Sequence, residues 1–145
     1  MSNARPASDV YSWAKASTKP SYNTTEITNL GTLTTNSKSV SNFPNATTNA
    51  IINLANLVAG TYVLYGMIDY EINSGTGLRQ LLFYNGSTAI NDARIEVGAA
   101  SSGWTRLTGS YIITLTSTST IWLYGYQSSG SACTVVGYIK AVRIK

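Results

Sequence analysis

Six carboxylates and no histidine limit what this chain can do chemically. Without histidine there is no imidazole base, no Ser-His-Asp relay and no histidine-ligated zinc. The carboxylates with the most suggestive spacing are Asp69 and Glu71, two residues apart in an apolar run. Residues i and i+2 of a strand share a face, so this pair could nominally span the ~5–9 Å between the two acids of a glycosidase. One strand is nevertheless a poor way to place an acid and a nucleophile on opposite sides of a bond. Ion pairs with Arg79 or Lys140 are the preferred reading. Cys133 is the sole cysteine, which rules out an intramolecular disulfide, and its apolar context predicts a buried, inert thiol. No Gly-rich phosphate loop precedes a helix. The expectation is a chain that is not an enzyme and that carries no metal and no cofactor.

Binding chemistry is better represented. Residues 111–115 (YIITL) and 121–126 (IWLYGY) are alternating apolar runs joined by the polar residues 116–120. In the first run Tyr111, Ile113 and Leu115 line one side of a strand, with Ile112 and Thr114 on the other. In the second, Ile121 and Leu123 point one way while Trp122, Tyr124 and Tyr126 form an aromatic row on the opposite face. Such a row must be covered by a second sheet, by another copy of the chain or by a ligand. A subunit contact or core is preferred over a ligand, although aromatic faces also suit the C–H face of a pyranose. Glycan contacts are expected rather in two loops, Tyr84-Asn85-Gly86-Ser87 with Asn91-Asp92, and Ser101-Ser102-Gly103-Trp104. The candidate ligand residues are therefore Tyr84, Asn85, Asn91, Asp92 and Trp104, with packing against a neighbour the preferred fate of Trp104.

The elements that must position these residues are strands. The chain of 145 residues suits one core rather than two domains. Only 11% of it is charged, against roughly 25% in ordinary soluble domains. Thr, Ser, Asn and Gly make up the difference, a surface chemistry common in extracellular β-proteins and virion proteins. The net charge of +4 comes from scattered Lys and Arg rather than a basic stripe, which argues against nucleic acid as a partner. No run approaches the ~20 apolar residues of a membrane span, and none begins with the basic-then-apolar design of a signal peptide.

Residues 1–30 differ from the rest and are read as an arm or linker, with Met1-Ser2-Asn3-Ala4 resembling a cloning scar. Within the arm, Val10, Trp13 and Ala14 could share a face of a short helical segment that Lys19-Pro20 ends. Residues 31–145 are read as the head domain. Residues 31–49 fit a long edge strand and a wandering loop equally well, and 48–57 has no settled period, with strand preferred. Residues 61–72 make the longest strand candidate, with Tyr62, Leu64, Ile68, Tyr70 and Ile72 on one face and Val63, Tyr65 and Met67 on the other. Apolar on both faces, it should be central and covered on both sides. Residues 78–84 lead into Asn85-Gly86, a hairpin signal. A weaker strand at 88–97 and a last one at 132–144 complete an antiparallel all-β sandwich.

In that order the strands resemble a TNF-like jelly roll of the complement-globular-head type. The resemblance rests on Ala59-Gly60-Thr61-Tyr62-Val63-Leu64, on Leu82-Phe83-Tyr84-Asn85-Gly86 and on Thr108-Gly109-Ser110-Tyr111-Ile112-Ile113-Thr114-Leu115. Thr120-Ile121-Trp122-Leu123 and Gly137-Tyr138-Ile139 continue it, so that it spans residues 57–145. At Ser117–Ser119 the chain departs from the Gly-Asp the family often has, which removes the support for a calcium site there. Separately, Asp9-Val10-Tyr11-Ser12-Trp13-Ala14-Lys15 with Lys19-Pro20-Ser21-Tyr22 resembles a segment of phage and prophage tail-fibre proteins. Together the two resemblances imply a homotrimeric head of a phage tail fibre or receptor-binding protein, in the virion and extracellular. It would recognise a bacterial surface polysaccharide or wall polymer, helped weakly by its positive charge. In such a head one sheet faces the three-fold axis, and Tyr62, Trp122, Tyr124, Tyr126 and Tyr138 are the expected trimer contacts. The alternatives are a structural trimerisation tip without a ligand, or a monomeric carbohydrate-binding module of a secreted enzyme.

Overall fold

The computed structural model describes residues 31–71, 76–100 and 103–145. The expected arm at 1–30, Ile72 with the turn residues 73–75, and Ser101-Ser102 lie outside the described residues. Eight strands carry the fold: β1 (Leu33–Phe43), β2 (Asn49–Leu57), β3 (Gly60–Glu71), β4 (Leu78–Asn85), β5 (Thr88–Gly98), β6 (Trp104–Leu115), β7 (Ser119–Gln127) and β8 (Cys133–Arg143). Among the described residues there is no helix.

Two four-stranded antiparallel sheets face each other. The front sheet runs β1-β8-β3-β6 and the back sheet β2-β7-β4-β5. Consecutive strands pass from one sheet to the other except at β4–β5, which form a hairpin. This is the winding of a jelly roll. The two runs that stand side by side in the sequence, in β6 and β7, are therefore separated: the polar residues 116–118 carry the chain from the front sheet to the back.

Alternation decides what faces inward. From the front sheet Tyr62, Leu64, Ile68 and Tyr70 of β3, Leu107 and Leu115 of β6, and Val135, Ile139 and Ala141 of β8 enter the core. From the back sheet Ile51, Ile52 and Leu54 of β2, Leu81 and Phe83 of β4, and Ile121 and Leu123 of β7 meet them. β3 is central, between β8 and β6, as expected, but among the described residues only its inner face is covered. β2 has no clean period because its register with β7 shifts between Ala50 and Ile52, and this bulge buries both Ile51 and Ile52. β1, the undecided stretch, is an edge strand on β8.

The β4–β5 hairpin differs from the expected turn by one residue. Asn85 pairs with Thr88, so the loop is Gly86-Ser87. Gly86 has φ 58°, whereas neither Asn85 nor Ser87 has a positive φ. A positive φ at the first loop residue alone is the pattern of a II′ turn. Close packing at the centre depends on another glycine. A Cβ on Gly125 of β7 would collide with the Tyr70 hydroxyl and stand 2.9 Å from Ile51 Cδ1 and 3.2 Å from Phe43 Cζ. Without that side chain, Tyr70 lies flush on β7 and donates its hydroxyl proton to the Gln80 carbonyl at 2.6 Å.

Candidate functional site

The carboxylate pair lies on the outer face of the front sheet and is already engaged. Asp69 is opposite Arg106 in the β3–β6 register and receives Nε and Nη2 at 2.7 Å each. This corrects the expected pairing with Arg79 or Lys140. Arg79 is fully buried, gives its Nη1 protons to the carbonyls of Leu78 (3.0 Å) and Thr76 (3.4 Å), and stands 5.9 Å from the Tyr70 ring centroid. Lys140 lies opposite Tyr65, with its ammonium 5.4 Å from that ring, a cation–π distance. Hydrogen bonding to Asp69 holds the Arg106 guanidinium above its ordinary pKa. Glu71 Oε2 accepts the Thr134 N–H at 3.3 Å. Cys133 is buried, and desolvation raises its thiol pKa, which keeps it protonated and unreactive. Among the described residues no group of three or more His, Cys, Asp or Glu side chains gathers to hold a metal.

The five expected ligand residues do not form one cluster. Trp104 opens β6 in the front sheet, opposite Glu71 and half exposed at 49%. With Asp69, Arg106 and Val136 it lines a surface depression of about 480 Å³. Tyr84 and Asn85 end β4 in the back sheet. Asn91 and Asp92 are exposed on β5, where the register jumps from Phe83–Ile90 to Leu81–Ile95.

Nor do the five expected trimer contacts share a surface. Tyr62 is 4% exposed within the protomer, and its hydroxyl donates to the Val58 carbonyl at 2.9 Å, so it is a core residue with no surface to offer a partner. Its odd and even neighbours had both looked apolar, and the alternation of β3 sends it inward. Tyr138 is on the outer face of the front sheet, edge-on to Tyr65 with centroids 6.3 Å apart. Trp122, Tyr124 and Tyr126 are on the outer face of the back sheet, on the far side of the molecule.

That back-sheet surface is more extensive than the row alone. Tyr84 of β4 stacks on Tyr124 with centroids 4.1 Å apart and planes 26° from parallel. Trp122 is edge-on to Tyr124 at 6.3 Å. In register, Trp122 lies between Asn53 of β2 and Tyr84 of β4. Leu82, opposite Tyr124, is only 9% exposed yet does not belong to the core cluster, because the alternation of β4 puts it on the outer face with Tyr84. All four aromatic side chains remain partly exposed. The neighbouring edge strand β5 carries the exposed Asp92 and the pair Arg94–Glu96, and Glu96 also accepts from Gln80 at 2.6 Å.

The front sheet carries a second outer surface, of which the sequence pattern revealed the Val63, Tyr65 and Met67 face of β3 but not its partners across the sheet. Leu33, Val142, Val63 and Ile112 stand opposite one another in register, giving a continuous aliphatic row across β1, β8, β3 and β6. Its two ends are well exposed, Leu33 at 58% and Ile112 at 62%. Next to it, Tyr65 and Met67 of β3 and Tyr138 of β8 extend the apolar surface along the sheet.

With this geometry known, comparison with solved structures places the fold. The globular domain of zebrafish complement 1qA is similar over 78% of this chain and 97% of its own, with TM-score 0.50 and 11% identity. The PRD1 vertex protein P5 is similar over 77% of this chain and 96% of its own (TM-score 0.51, 15% identity). A chain of infectious bursal disease virus, Gx strain, is similar over 77% of this chain but only a third (33%) of its own (TM-score 0.52, 13% identity). The protein is a jelly roll. No protein family matches the chain, and no curated protein does. At these identities the shared property is the fold, and function has to be argued from the surfaces themselves. This jelly roll presents two broad outer faces of different chemistry, one aliphatic and one aromatic with amides.

Proposed function

We propose that the chain is the non-catalytic head of a homotrimeric fibre or receptor-binding protein of a virion, whose copies meet through the outer face of the front sheet. The head contacts a bacterial surface polysaccharide or wall polymer. The observation that carries this reading is the aliphatic row Leu33–Val142–Val63–Ile112, in register across all four strands of one sheet and open to solvent at both ends. Apolar surface of this kind, flanked by Tyr65, Met67 and Tyr138, marks an interaction face rather than a solvated one. Burying each aliphatic side chain completely contributes about 1.5–3 kcal/mol, so a row of this length can sustain self-association. β3 then gains the cover on its second face that its sequence calls for. The jelly roll shared with a complement head and viral proteins supports the same reading. An inert tip would have no use for the aromatic surface on the opposite sheet, which favours recognition over capping alone.

The test is the mass in solution by light scattering on a sizing column. A mass three times the 15.5 kDa chain is expected, reduced to that of a single chain by Val63→Lys with Ile112→Lys. A monomeric wild type at micromolar concentration overturns the assembly reading.

A further inference from the structure

We propose that Trp122, Tyr124 and Tyr84 on the outer face of the back sheet form a stacking platform for a neutral sugar of the recognised polysaccharide. This rests on the recognition reading above and gives it a site and a ligand class. The rings are held rather than loose. Tyr84 and Tyr124 brace each other in a stack, Trp122 abuts Tyr124 edge-on, and Leu82 stands opposite Tyr124 in register. Bracing of this kind lowers the ordering cost of binding. Aromatic faces carry partial negative charge and suit the polarised C–H bonds of a pyranose face. Hydroxyl recognition is available beside them from Asn53, which stands opposite Trp122 on the same face. Among the described residues no hydrogen bond engages the Asn53 side-chain amide; the Asn36 side-chain amide donates to the Asn53 backbone carbonyl at 2.9 Å.

Charge selects the ligand class. Ala50, Asn53, Leu82, Tyr84, Trp122, Tyr124 and Tyr126 include no Asp, Glu, Lys or Arg; on the neighbouring β5 the Arg94–Glu96 pair cancels itself, and the exposed Asp92 is a carboxylate that offers nothing to an anion. Lys38, Arg106, Lys140 and Arg143 are all on front-sheet strands, away from the rings. An anionic wall polymer would find no countercharge on the platform, and a protein partner would ordinarily be met by a rim of charges. A neutral hexose chain matches both the apolar rings and the amides. The exposed Trp104 is on the other sheet and belongs to a separate surface.

The test is an array of neutral and acidic bacterial-type oligosaccharides, including maltohexaose, cellohexaose and galactohexaose with trigalacturonate as the acidic control, probed with the intact protein. Binding is expected to at least one neutral probe. Trp122→Ala and Tyr84→Ala should each weaken it about tenfold, the loss of one ring contact, while Trp104→Ala leaves it unchanged. Circular dichroism should be that of wild type in all three, and solution mass that of wild type in Trp122→Ala and Tyr84→Ala. Binding confined to acidic probes, binding to no probe, or binding insensitive to Trp122→Ala overturns the platform. A trimer that binds no neutral probe removes the platform but not the assembly. A monomer whose sugar binding is lost with Trp122 removes the assembly but not the platform.

Discussion

Replacing Gly125 by alanine tests the packing that holds the two sheets in their observed relation. The added methyl would occupy the place of the Tyr70 hydroxyl and crowd Ile51 Cδ1 at 2.9 Å and Phe43 Cζ at 3.2 Å. Overpacking of a close-packed core costs about 1–3 kcal/mol. Displacing Tyr70 also breaks its hydrogen bond to the Gln80 carbonyl and leaves a buried acceptor unmet, about 1–3 kcal/mol more. The sum is about 2–6 kcal/mol, which at a urea slope of about 2 kcal/mol/M lowers the midpoint by roughly 1–3 M. Tyr70→Phe alone removes only the hydrogen bond, about 1–2 kcal/mol. In the double variant that bond is lost once instead of twice and the methyl no longer meets an oxygen. The double variant should therefore be more stable than the two single losses predict, by about 1–2 kcal/mol. The assay is equilibrium urea unfolding of all four proteins at one protein concentration. Additivity within about 0.5 kcal/mol, or a Gly125→Ala protein as stable as wild type, would refute the assigned contact.

The other predictions concern ionisation, the thiol, the hairpin and the interface. Burial holds the Tyr70 phenol and the Cys133 thiol above their ordinary pKa values. The native state therefore keeps protons that the unfolded chain sheds above about pH 8.5 for the thiol and about pH 10 for the phenol. Stability should be full below those values and fall as the pH rises beyond them, with Tyr70→Phe flattening the upper part of the decline in urea midpoints measured from pH 7 to 11. Cys133 should resist a thiol reagent in the native protein and react at once in denaturant; rapid native labelling would contradict its burial. Gly86→Ala should cost about 1 kcal/mol through the positive φ at that residue, whereas Ser87→Ala should be near neutral, and equal losses would argue against the assigned turn. Ile112→Lys should leave the thermal transition of the protomer intact while lowering the solution mass, because its side chain is 62% exposed within the protomer.

Several of these side chains could be placed from the amino-acid order. The period of two in residues 61–71, 111–115 and 121–126 determined which residues share a face, since neighbours on a pleated strand must face opposite ways, but not which face turns inward. Asn85-Gly86 determined that a hairpin follows β4, because glycine accepts a positive φ without a steric penalty, although the strand pairing put the loop at Gly86-Ser87. Absence of histidine excluded whole classes of catalysis by composition alone. β2 could not be read because a bulge breaks its period, and a bulge is a property of two paired strands.

Partnership across strands was settled only in three dimensions. Asp69 finds Arg106 from 37 residues away because β6 lies alongside β3, and Tyr84 joins the Trp122–Tyr124 row because β4 lies alongside β7. The aliphatic row needs Leu33 and Val142, at opposite ends of the described chain, to fall into register with Val63 and Ile112. Local sequence states which way a side chain points from its own strand, but which distant strand lies beside it depends on the packing of the whole core. For this protein the sequence by itself determined which residues share a face in β3, β6 and β7, whereas which face turns inward, and the composition of the two outer faces on which the proposed function depends, were decided by the tertiary structure.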